Sequence, residues 1–157
     1  MFTRILVPTD FTEPSDAALN YAREMADKFG TSMHLLHVIE PGNAAGAYEV
    51  LAQEARSKFA ERVLPLGARY SITTDVVTGS IATTIVAYAA SRHIDLIVMG
   101  TNGRAGLAQL MMGSVAEHVV RTALCPVLTA RQAQAPDGAT VSRSARTSQS
   151  DTEPGRG

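Results

Sequence analysis

The residues best placed to do chemistry in this chain stand close together: Gly100, Gly103, Arg104 and Gly106, and then Gly113-Ser114 at the start of an apolar helical pattern. They follow Leu96-Ile97-Val98-Met99, an uninterrupted apolar run that reads as a buried parallel strand. A strand, glycines and a helix start together make room for an anion. Glycine permits positive φ and a close approach of backbone N–H groups, and the first helical turn adds unpaired N–H groups and a partial positive charge. Arg104, inside the loop, either pairs with phosphate oxygens or extends into solvent. The same residue types also build ordinary turns and caps, and Ser114 with Glu117 fits a capping box. The spacing is neither the dinucleotide fingerprint nor a Walker loop, because Gly-x-x-Gly comes late in the chain and no Gly-Lys-Ser/Thr follows. Taken alone, the loop specifies an anion nest.

The elements that must hold this nest can be read in order. Thr3 to Val7 forms a short strand ending at Pro8-Thr9-Asp10; Thr12 caps a helix whose Ala18, Tyr21, Ala22, Met25 and Phe29 share a face until Gly30 stops it. Met33 to Ile39 is a second strand closed by Pro41-Gly42, and Leu51, Ala55, Phe59, Val63 and Leu66 mark a second helix ending near Gly67. Ile72 to Val77 is a third strand with an edge-like Thr73-Thr74-Asp75. Ser80 caps a third helix carrying Ile81, Ile85, Tyr88 and Ala89; a fourth turns Val115, Val119, Val120 and Ala123 inward before the strand Cys125-Pro126-Val127-Leu128-Thr129. This alternation predicts an α/β fold, an open five-stranded parallel sheet with helices on both faces, Rossmann-like. Ligands of such folds sit where the winding reverses, and Asp10 and Gly100 meet there only if strands one and four are neighbours; that convergence is the ground for expecting the order 3-2-1-4-5.

Composition sets the outer bounds. With 157 residues, 45% of them apolar, the chain has enough material for one core and too little for two. A net charge of −1 gives no electrostatic reason to expect nucleic acid or an anionic membrane as partner. Cys125 has no second cysteine to pair with. Pro8 and Asp10 interrupt the N-terminal stretch before a signal-peptide core forms, and no apolar run approaches the ~20 residues that cross a bilayer. The expectation is a cytoplasmic protein with a folded domain over 1–131. Residues 132–157, rich in Ser, Ala, Arg, Thr and Gly without apolar periodicity, are expected to be a disordered tail.

Ile5-Leu6-Val7-Pro8-Thr9-Asp10, Leu36-His37-Val38, Asp95 to Gly100, the spacing Gly100-x-x-Gly103 then nine residues to Gly113-Ser114, and Cys125-Pro126-Val127-Leu128 together resemble the universal stress protein family. The resemblance covers residues 1–131, and the spaced glycines are similar to those of its ATP-binding branch. It implies bound ATP, or AMP as an alternative, with Mg2+ arriving alongside the nucleotide. By position it implies that Asp10 faces the adenine and the Val38 backbone contacts the base. Gly100, Gly103, Gly113 and Ser114 then hold ribose and phosphates, with a backbone contact from Val115. Pro8, Thr9, Met99 and Arg104 complete the expected binding set. The chain departs from the common pattern at Phe11-Thr12, which stand where Gly-Ser is often found.

From the residues alone, Asp10 accepts a hydrogen bond from an adenine amino group or ribose hydroxyl, or serves as a turn aspartate ahead of Thr12. His37 reads as a hydrogen-bonded core histidine, and His34, His93 and His118 lack metal-ligand spacing. The leading functional expectation is a nucleotide-dependent stress-response or signalling module. A slow ATP hydrolase and a nucleotide-free dimeric adaptor are the alternatives. Against hydrolysis, the sequence offers no second carboxylate at the strand ends near Asp10, no Walker lysine and no base for water. The edge strand 126–130, with its apolar side chains, is expected to pair with its copy in a homodimer, as the family's usual dimer also implies.

Overall fold

The computed structural model describes residues 1–42, 46–101 and 112–131. Along the chain come β1 (Arg4–Pro8), α1 (Glu13–Phe29), β2 (Ser32–Ile39), α2 (Ala47–Val63), a 3-10 segment (Leu64–Arg69), β3 (Ile72–Thr78), α3 (Ile81–Ser91), β4 (Leu96–Gly100), α4 (Ser114–Thr122) and β5 (Val127–Ala130). The strands form one five-stranded parallel sheet in the order β3-β2-β1-β4-β5. This is the predicted architecture, and its central strands β1 and β4 carry the uninterrupted apolar runs Ile5-Leu6-Val7 and Leu96 to Met99 because both of their faces are covered.

Side chains alternate across the sheet, so each strand feeds two cores. Ile5, Val7, Met33, Leu35 and Val98 pack with Ala18 and Ala22 of α1 and Phe59 of α2. Leu6, Leu36, Val38, Ile97 and Met99 pack with Ile85 and Tyr88 of α3 and Val119 of α4. Helix α1 ends at Gly30, whose φ of 66° is left-handed and whose N–H donates to the Ala26 carbonyl, a conformation glycine adopts without steric cost.

Two features of the central strands create the crevice. At their N-terminal ends β1 and β4 are stitched by Asp95, whose Oδ2 accepts hydrogen bonds from the Thr3 and Arg4 N–H groups at 2.8 and 2.9 Å. Beyond the pairs Ile5↔Leu96 and Leu6↔Ile97 the β1–β4 ladder stops. The strands part toward their carboxyl ends, at the point where the winding reverses. Gly100 lets β4 pass the start of α1: a Cβ there would lie 2.7 Å from the Pro14 carbonyl carbon.

Several local expectations need correction. Gly113, not Ser114, is the N-cap of α4, so the Ser114–Glu117 capping box does not form; Ser114 is already helical. Thr12 and Ser80 occupy N-cap positions without a side-chain cap bond. The Thr12 hydroxyl turns back to Asp10 instead. In α2 the buried face is Ala52, Ala55 and Phe59, while Leu51 is 44% exposed. The small alanines let the helix lie close to the sheet, and the chain past Val63 bends at Gly67 rather than continuing to Leu66 as one helix. In α4 Ala116 and Val119, one turn apart, take the inner face, leaving Val120 exposed. Among the described residues no helix is long and apolar enough to cross a membrane.

Candidate functional site

A cavity of about 660 Å3 opens at the carboxyl ends of β1, β2 and β4, between the inner side of α2 and the N-terminus of α4. Pro8, Thr9, Asp10, Val38, Met99, Gly100, Gly113, Ser114 and Val115 all line it. Gly103 and Arg104 lie outside the described residues.

The wall nearest Asp10 is a tightly hydrogen-bonded turn. The Thr9 N–H makes the last β1–β2 rung, donating to the Leu36 carbonyl at 2.8 Å. The Asp10 Oδ1 then accepts from the Thr12 N–H (3.1 Å), the Thr12 hydroxyl and the buried Ser15 hydroxyl (2.8 Å). Burial pushes the Asp10 carboxyl up, but the hydrogen bonds from Thr12 and Ser15 outweigh it and hold the group below its ordinary value. Asp10 is thus an ionised turn aspartate whose Oδ1 is consumed by the fold. Its Oδ2 accepts no hydrogen bond among the described residues. The two readings left open for this residue are compatible, one oxygen for each.

Phe11 closes the turn with φ 63°, a left-handed conformation that costs a bulky residue about 1–2 kcal/mol. Its ring is seated 4.7 Å from that of His37 and edge-on to Phe59 at 5.1 Å. Lys58 and Arg62 of α2 lie over it at 5.5 and 5.0 Å, in cation–π range. Arg62 donates to the Phe11 carbonyl (3.1 Å) and forks onto the Asp16 carboxylate at 2.6 and 3.1 Å. Packing and a bidentate ion pair therefore hold a strained backbone in place.

The opposite wall is backbone. Along β2 the even residues face β1, since Ser32 N–H reaches the Thr3 carbonyl and Leu36 accepts from Thr9. The odd residues face β3, as Met33 and Ile39 show by bonding Ser71 and Gly79. Val38 accordingly presents both its N–H and its C=O on the β1 side, past the end of that strand, and neither meets a backbone partner among the described residues. The Thr9 carbonyl that would complete the next rung is bonded by His37 Nδ1 at 2.8 Å. One donor and one acceptor side by side on the cavity wall complement a base edge that offers an acceptor beside a donor, as adenine does.

The third component is the start of α4. Gly113 donates its N–H to the Thr101 carbonyl at 2.6 Å, and the Thr101 N–H donates to Ala130, so the residue fixes the corner rather than offering its own N–H to an anion. Its φ of −60° requires no glycine. The N–H groups of Ser114, Val115 and Ala116 fall in the first turn, where helix geometry gives them no carbonyl, and these three residues line the cavity at the positive end of the helix dipole.

Other lining residues escaped sequence reasoning. Glu40, exposed and directly after β2, lines the cavity, which corrects the expectation of no second carboxylate at a strand end near Asp10. Lys58 enters from α2, its Nζ 2.9 Å from Glu54 Oε1. Ile81 and Ile85 of α3 and Leu51 of α2 supply apolar surface on either side. Leu51 gave no signal of this role, since its four-residue spacing to Ala55 places it in the apolar stripe expected for the helix.

Comparison with known proteins adds an independent line. The family model for the universal stress protein family matches residues 1–131. Universal stress protein MJ0531 of Methanocaldococcus jannaschii is 32% identical over 144 residues, a match covering 84% of this chain and 84% of that protein. The solved structure of MJ0577 from the same organism is similar with a TM-score of 0.72 at 28% identity, covering 85% of this chain and 99% of that one. The universal stress protein from Archaeoglobus fulgidus in complex with dAMP shares the fold, with a TM-score of 0.64 at 22% identity over 82% of this chain and 98% of that one.

Proposed function

The chain belongs to the universal stress protein family, and from that premise we propose that its cavity binds an adenine nucleotide, ATP first and AMP as the alternative. The bound nucleotide sets the state of a cytoplasmic, homodimeric stress-response or signalling module. The observation that carries this reading is the meeting, in one cavity, of the Val38 backbone pair, without a backbone partner among the described residues, and the first turn of α4. A base edge on the first and phosphate on the second is the arrangement that satisfies both. Asp10 Oδ2 then accepts from a ribose hydroxyl or the base amino group. The cavity volume of about 660 Å3 falls within the range of small-molecule and cofactor sites. The dAMP of the Archaeoglobus fulgidus fold neighbour is of the same chemical class.

Mg2+ accompanies the triphosphate in this reading and draws its ligands chiefly from phosphate oxygens and water. The chain's own contribution is to bind and orient: α4 offers N–H groups to anionic oxygens, Val38 reads the base, and Ile81 and Ile85 exclude water from its face.

The test is extraction of nucleotide from protein purified without added ligand, followed by calorimetric titration with ATP and Mg2+, in wild type and Gly113→Val, which adds a branched side chain to the cavity lining beside the first turn of α4. Co-purified ATP or AMP, or micromolar binding, that is lost in the variant is expected. An empty protein that releases no heat with ATP would overturn the proposal.

A further inference from the structure

We infer that His37 is a positioning residue: its imidazole ends the β1–β2 ladder one rung early and so keeps the Val38 backbone pair open toward the cavity. This rests on the reading of Val38 as the base-contacting residue, and extends it to the side chain that makes Val38 available.

Parallel pairing brings Thr9 within reach of two donors. Having given its N–H to Leu36, Thr9 would in a continuing ladder accept with its carbonyl from the Val38 N–H. Instead that carbonyl is 2.8 Å from His37 Nδ1. A carbonyl oxygen only accepts, so Nδ1 carries the proton and the tautomer is fixed. The ring is held at this angle by Phe11, 4.7 Å away. Phe11 is fixed in turn by its own N–H, which donates to Thr9 Oγ1 at 2.9 Å. His37 is an odd residue of β2, whose backbone serves β3, so its side chain blocks the β1 rung without disturbing the β3 ladder. The half-buried histidine in the apolar run Leu35-Leu36-His37-Val38 is thereby explained: a leucine there would fill space but release the Thr9 carbonyl to Val38.

Two measurements on the full chain test this. In ligand-free, isotope-labelled protein, through-hydrogen-bond coupling between the Val38 amide nitrogen and the Thr9 carbonyl carbon is expected to be absent in wild type and to appear in His37→Leu. Titration with ATP and Mg2+ should then show about tenfold weaker binding in His37→Leu. His37→Gln, which keeps a side-chain donor, should restore most of the affinity. A Val38–Thr9 coupling already present in wild type, or its absence from folded His37→Leu, would overturn the inference whatever ATP does. If the coupling switches as expected but wild type binds no ATP, the nucleotide reading fails and the ladder-stop role stands.

Discussion

At the scale of single residues, Asp10 and Gly100 are both held by contacts to the start of α1. Asp10 gives one oxygen to the turn, so its depressed carboxyl carries a linkage with a definite sign. A group whose folded value lies below the unfolded one, about 3.9 for aspartate, stabilises the fold fully above that value and loses the contribution as pH falls through the folded one. Asp10→Asn should therefore show a shallower fall in melting temperature than wild type when acidified below about pH 4. Gly100 was expected to hold ribose or phosphate, yet its immediate constraint is Pro14. In Gly100→Ala the new Cβ meets backbone that has no flexible end to move, and the cost should be about 1–3 kcal/mol. That corresponds to about 2–4 °C of melting temperature per kcal/mol in a domain of this size. A Gly100→Ala protein as stable as wild type would show that α1 can shift. The glycine was legible as a residue that must be small, but the sequence does not say small against what. His37 illustrates the same limit, since period-two alternation assigns it a side of the strand and cannot reveal that the Thr9 carbonyl waits there.

At the scale of elements, the strands were readable because burial on both faces leaves apolar runs bounded by Pro, Gly and Asp, whereas the helix ends were less so. Gly113 rather than Ser114 caps α4, and Thr12 spends its hydroxyl on Asp10; in both cases a tertiary contact chose among residues of similar capping propensity. The turn between β1 and α1 is the clearest example. Phe11 stands at positive φ where glycine would be unstrained, and Arg62 reaches it across 51 residues of sequence. Arg62 ties the last turn of α2 to Asp16 and to the Phe11 carbonyl, so Arg62→Met should cost about 1–2 kcal/mol, with the charge-assisted bonds dominating. Phe11→Gly relieves the backbone but removes a ring packed on Phe59 and His37. The lost packing exceeds the relieved strain, and chemical denaturation should find a net loss of about 1–2 kcal/mol. If Phe11→Gly proves more stable than wild type, the strain is the larger quantity and the ring is not what holds the turn.

At the scale of the molecule, the two sheet edges are finished differently. Edge β3 exposes Thr73 and Thr74, polar residues that discourage further pairing. Edge β5 carries Leu128 at 36% exposure and is preceded by Leu124 at 91%, so an apolar strip borders backbone that has no further strand beside it among the described residues. A two-fold axis beside β5 would pair the strand with its copy and bury both leucines against their symmetry mates, which a heterologous contact at the same edge would not do. The expected state at micromolar concentration in light scattering is a homodimer, and Leu128→Lys should shift it to monomer by placing like charges across the axis. The cavity is lined from β1, β2, β4 and all four helices, and none of the residues that line it belongs to β5. The monomeric variant should therefore keep one nucleotide per chain with affinity within about threefold of wild type, a difference under 1 kcal/mol. A monomeric wild type would remove the dimer, whereas a Leu128→Lys monomer that has lost nucleotide would mean that the partner chain helps to complete the site.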